Sequence, residues 1–198
     1  MAKALWLSVS PDSGSGNDTT SVTGDNHTGR NQRTSDLTYK ASGKPDVVVP
    51  VTQSGRNEFV TLGNVSAPKS GGNVTVSGKS NSSKLTFSLG SGDITVSLPA
   101  SYSAAGANTN NAAAIGGDPG AVAEFNFSIE FSIPATETIV AKSKIVTVTA
   151  NGGQQASATI SQAAGEPTLS VYPTSITLDA DGNAVTVSVT SNTNWTVS

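Results

Sequence analysis

The chain has 198 residues, of which 35% are apolar and only 13% charged, and it carries a formal net charge of −3. That length accommodates one to three small domains. It contains no cysteine, which excludes disulfides and thiolate metal sites. With no polybasic run, nucleic acid is not an expected partner.

The first residues, MAKALWLSVSP, carry one lysine and then read as a strand stopped by Pro11. They lack the long apolar region and small-residue cleavage site of a secretory signal, and no stretch approaches the length of a membrane span. The expectation is therefore synthesis in a cytoplasm and no membrane partner. Alternating strands follow in order: LWLSVS (5–10), DVVVPVTQ (46–53), NVTVSG (73–78), KLTFSL (84–89), DITVSL (93–98), EFNFSIEFSI (124–133), KIVTVTA (144–150), ASATISQ (156–162), LSVYP (169–173) and AVTVSVT (184–190). They are punctuated by SGSGN, SGGN, NGG and DADGN, and helical periodicity is almost absent. This is the pattern of an all-β sandwich. In EFNFSIEFSI, Phe125, Phe127, Ile129, Phe131 and Ile133 share one face and are expected to form a core. Arg30, Arg33, Lys40 and Lys44 lie close together in sequence and read as a solvated face. The Ala/Gly/Asn-rich stretch 97–123 is long for a loop, and is either a flexible insertion or a contact loop.

Two closing strands look alike, VTQSG (51–55) and ISQAAG (160–165), and each ends a hairpin. Residues 58–166 between them read as one complete sandwich. The flanks do not. Residues 1–57 hold a central strand and a closing hairpin but no opening strands, whereas 167–198 hold opening strands and no closing ones. Each flank is half a domain.

The C-terminal LSVYPTSITLDADGNAVTVSVTSNTNWTVS and the N-terminal WLSVSPDSGSGN, TGRNQRTSDL and VTQSG resemble the two halves of a BACON domain. This is an immunoglobulin-like β-sandwich of Bacteroidota proteins and their phages. The middle segment matches loosely and lacks both Trp positions. Read head to tail, NTNWTVS and ALWLSVSP rebuild an uninterrupted domain, with Trp195 and Trp6 in one core. The resemblance implies an exchange interface formed by Trp6, Leu7, Val9, Leu169, Val171, Ile176, Val187, Val189, Trp195 and Val197. The halves could meet in cis, as a circular permutant, or in trans. Links of about three residues reach on the order of 10 Å, and the poles of such a sandwich stand about 20–35 Å apart, which favours trans. Similar domains occur in auxiliary capsid proteins of crAss-like phages. The expectation is therefore a virion protein linking copies of itself head to tail, with a major capsid protein as a further partner.

Chemistry finds little purchase. His27, the only histidine, sits in the turn-like GDNHTG, and no G-x-S-x-G elbow exists. GGNVTVSGKS (71–80) is one residue too long for a P-loop, and VTVS reads as a strand. DADG (179–182) has no closing Glu and reads as a hairpin turn rather than a calcium loop. Glu124 and Glu130 fall on the outward face of their strand, and the N-x-S/T sequons follow from composition. No enzyme, cofactor or metal is expected. An alternative function is a glycan-binding or adhesive module. It would use Tyr102 in the long loop, with Tyr39 and Tyr172 as further candidates. A third reading, a fragment of a longer array, implies a monomer with disordered ends.

Overall fold

The computed structural model describes residues 3–198. Four short strands come first: β1 (Leu7–Ser10), β2 (Ser21–Gly24), β3 (Arg33–Tyr39) and β4 (Val47–Gln53). They form two separate antiparallel ladders, β1–β2 and β3–β4. Eight strands follow: β5 (Val65–Ala67), β6 (Gly72–Ser80), β7 (Leu85–Gly92), β8 (Ser101–Ala104), β9 (Ala107–Asn110), β10 (Phe125–Ile133), β11 (Lys142–Ala150) and β12 (Gln155–Gln162). These build two four-stranded sheets, ordered β6-β10-β8-β9 and β5-β12-β11-β7. The chain ends in a third two-stranded ladder, β13 (Leu169–Tyr172) with β14 (Ser188–Ser191). The fold is all-β and immunoglobulin-like, as the alternation predicts.

The core lies between the two four-stranded sheets. All five apolar residues of β10 are buried, and they meet Val146, Val148 and Ile160 from the facing sheet. The Phe87 ring packs at 4.9 Å from Tyr102 and 5.8 Å from Phe127, in the tilted and edge-on geometries that aromatic quadrupoles favour. Burying each such side chain stabilises the fold by about 1.5–3 kcal/mol before entropy is counted. On the opposite face of β10, Glu130 accepts a hydrogen bond from Asn73. Glu124, just before the strand, pairs with Lys79.

Three expectations change. DITVSL forms no ladder, although Ile94 is buried and Val96 and Leu98 pack against the core. At Gly92 the backbone takes φ 136° and presses against the Ser143 carbonyl, where the β7–β11 register shifts. Beyond that point the chain leaves the sheet and crosses to β8. Residues 97–123 are not a plain loop: they contain the β8–β9 hairpin, turned at Ala105 and Gly106, and a 3-10 turn at Pro119–Ala121. The strand expected over 184–190 is paired only from Ser188, because no neighbouring strand in this chain meets residues 184–187.

Candidate assembly site

The flanking hairpins can be compared strand by strand with the sandwich. The β3–β4 hairpin repeats the register of β11–β12: Arg33 faces Gln53 as Lys142 faces Gln162, and Leu37 faces Val49 as Val146 faces Ala158. In the sandwich, opening strands cover this hairpin and both Val146 and Ala158 are buried. In the N-terminal unit Leu37 is buried too, but its partner is not. Val49 is 42% exposed, and Val47 and Val48 are exposed beside it. An open groove of about 590 Å³ runs between β1 and β3, lined by Val9, Pro11, Thr20, Leu37 and Tyr39.

The C-terminal ladder repeats the opening of the sandwich in the same way. There, Val60 bridges Ser80, Thr61 donates to the Lys79 carbonyl and Gly63 to that of Ser77. Correspondingly, Leu169 faces Ser191, Ser170 faces Thr190 and Tyr172 faces Ser188.

The residues expected at the exchange interface divide accordingly. Leu169, Val171, Ile176, Val187 and Val197 are exposed, Trp195 is half exposed at 50%, and Val189 is half-buried. Trp6 and Val9 are half-buried, and the Arg33 guanidinium stacks over the Trp6 ring at 4.4 Å. Leu7 departs from the expectation. It is already buried within its own unit because β1 turns it beneath the β1–β2 ladder. Tyr102 is a second correction. Offered as a glycan contact in the long loop, it is 2% exposed and belongs to the sandwich core. β8 points it inward at Phe87, its hydroxyl has no hydrogen-bond partner, and burial pushes its pKa up.

The two flanks attach at opposite ends of the sandwich. The β6–β10 pair runs from Gly72 facing Ile133 to Ser80 facing Phe125. At about 3.3 Å per residue this nine-residue strand spans roughly 26 Å. The N-terminal unit holds the Ser80 end. Asn81, fully buried, donates from Nδ2 to the carbonyls of Thr28 and Asn57 and accepts the Phe59 amide at Oδ1. The C-terminal unit holds the Ile133 end, where Asn192 donates to the carbonyls of Glu137 and Glu166.

The basic cluster is also not the solvated face that its sequence suggests. Arg30 forms a two-pronged ion pair with Asp118 across the N-terminal joint and donates to the Asn81 carbonyl. Arg33 donates to Gln53 and to the Asp25 carbonyl while stacking on Trp6. Only Lys40, paired with Asp46, and Lys44 stay at the surface. His27 is half-buried at the same joint, its Nε2 2.6 Å from the Asn31 carbonyl.

Among the described residues, no group of three or more His, Asp or Glu side chains comes together. What the flanks present is apolar faces and open strand edges. Such features bind other strands. A comparison with curated proteins returned no match. The N-terminal unit does match a family: residues 1–56 correspond to the family described as Viral BACON domain, so the chain carries a BACON-type domain segment at its N-terminus.

Proposed function

We propose that this is a non-enzymatic structural protein of a phage particle that links its own copies head to tail. The opening half at residues 167–198 of one copy completes the closing half at residues 1–57 of the next. One observation supports this reading: two-stranded ladders with exposed apolar faces sit on opposite ends of one two-sheet sandwich, with the strand pair between them roughly 26 Å long. Links of about three residues reach only on the order of 10 Å, which favours completion between chains. Isolated two-stranded ladders are marginal in water, so joining the halves pairs their edges and buries Trp195, Val171 and Ile176 against the groove beside Leu37.

The viral family match supports the phage setting. Within it, the reading assigns the chain to the capsid surface as an auxiliary protein contacting a major capsid protein. The glycan-binding alternative loses its main candidate, because Tyr102 is inside the core. The test is the solution mass by light scattering, with and without residues 168–198. The full chain is expected to be oligomeric and the deletion variant monomeric. A deletion variant of unchanged oligomeric mass would overturn the reading.

A further inference from the structure

The two joints share one set of hydrogen bonds. At the first, Asn81 donates to the Thr28 and Asn57 carbonyls and accepts the Phe59 amide, Ser80 Oγ donates to the Phe59 carbonyl, and the Ser82 amide donates to Ser80 Oγ. At the second, Asn192 donates to the Glu137 and Glu166 carbonyls and accepts the Thr168 amide, Ser191 Oγ donates to the Thr168 carbonyl, and the Thr193 amide donates to Ser191 Oγ. The linkers match as well: the Arg56 amide donates to Gly29 at 2.8 Å, and the Gly165 amide to Thr138 at 2.7 Å. The C-terminal unit therefore stands to the sandwich as the sandwich stands to the N-terminal unit.

The first joint has a further layer that the second lacks. The Arg30 and Asn31 amides donate at 2.9 Å to the carbonyls of Gly120 and Ala121, in the segment of the sandwich that leads into β10. Gly29 lets the two backbones approach, since a Cβ there would overlap the Val122 carbonyl. Arg30 and Asn31 follow Thr28 and Gly29, and at the second joint Ile139 and Val140 follow Glu137 and Thr138 in the same order. Ile139 is 42% exposed and Val140 67%, and among the described residues their amides meet no backbone acceptor.

We propose that Ile139 and Val140 are the seat for a second copy of this chain, specifically for its loop of residues 11–20. This rests on the head-to-tail reading and names the contact that locks it. In the completed domain β2 takes the place of β10: the joint residue Thr28 lies four positions after the end of β2, as Glu137 does after the end of β10. The segment leading into β2, which takes the place of Gly120 and Ala121, is residues 11–20. Among the described residues, none of its carbonyls accepts a backbone hydrogen bond. The Arg30–Asp118 ion pair of the internal joint is replaced by an apolar contact, in keeping with an interface that forms between molecules.

The test uses the full chain at concentrations below and above assembly. Light scattering is compared for wild type and Ile139→Asp, and amide exchange is followed at residues 139 and 140 of wild type. The expected results are association weakened at least about tenfold by the substitution, and exchange of both amides slowed at least about tenfold on assembly. Wild-type assembly with unchanged affinity of Ile139→Asp and fast amides would overturn this contact while leaving half-domain exchange standing. A wild-type chain that stays monomeric overturns both. The exchange measurement needs no variant, so it decides the matter even if Ile139→Asp misfolds.

Discussion

Asn81 and Asn192 occupy the same place in two joints, yet they differ in burial. Asn81 is fully buried and Asn192 is half-buried. Removing the Asn81 side chain leaves the Phe59 amide and the Thr28 and Asn57 carbonyls without partners, and a buried unsatisfied group costs about 1–3 kcal/mol. Asn81→Ala is expected to lower stability by about 2–4 kcal/mol in urea titration, and Asn192→Ala by about 1 kcal/mol, because water reaches its partners. Tyr102 illustrates the opposite case, a buried hydroxyl with no partner. Tyr102→Phe is expected to leave stability unchanged or raise it by about 1 kcal/mol. Burial raises the Tyr102 pKa above its ordinary 10.0, so the folded state holds the proton more tightly than the unfolded one. Its contribution is complete below pH 10 and declines as pH rises through the folded pKa. Denaturation across that range should show this loss in wild type but not in Tyr102→Phe, and an equal loss in both would refute the assignment.

At the scale of elements, alternation reports which way side chains face rather than which strands pair. DITVSL alternates and its apolar residues do face the core, but the register shift beside Gly92 removes its partner. The same distinction holds for residues 184–187, whose alternation is legible although no strand among the described residues pairs with them. The hairpins in the long stretch 97–123 were not legible, because small and polar residues such as Ala107, Asn108 and Thr109 carry little periodic signal. The Arg30–Asp118 contact was equally hidden, since it joins residues far apart in sequence. Gly29→Ala should loosen the N-terminal joint by forcing the two backbones apart at Val122. The measurable outcome is a stability loss of about 2 kcal/mol or more, with the β11–β12 amides still protected.

At the scale of the molecule, contact between two different faces has no built-in closure, so head-to-tail joining produces rings or open chains. The chain is therefore expected to show a mass that rises with concentration unless a ring closes. Trp195, half exposed in the single chain, is the largest side chain offered by the C-terminal face. Trp195→Ala should weaken association by about 2 kcal/mol or more, roughly thirtyfold, without altering the sandwich. An unchanged association constant by sedimentation would remove Trp195 from the interface. The opposite placement of the two joints also bears on shape. Because both joints share one hydrogen-bond pattern, successive units along an assembly would repeat one geometry.

The sequence by itself determined the all-β class, the core face of β10 and the repeated closing hairpin. Those features are written in local alternation, turn residues and the repeated closing strand, all of which act over a few neighbouring positions. Tertiary structure decided what depends on distant residues meeting. It buried Tyr102, paired Arg30 with Asp118, and anchored the two flanks at opposite ends of the sandwich. It also showed that Asn81 and Asn192 hold equivalent joints, because a hydrogen-bond pattern between far-separated backbone groups exists only once the chain has folded.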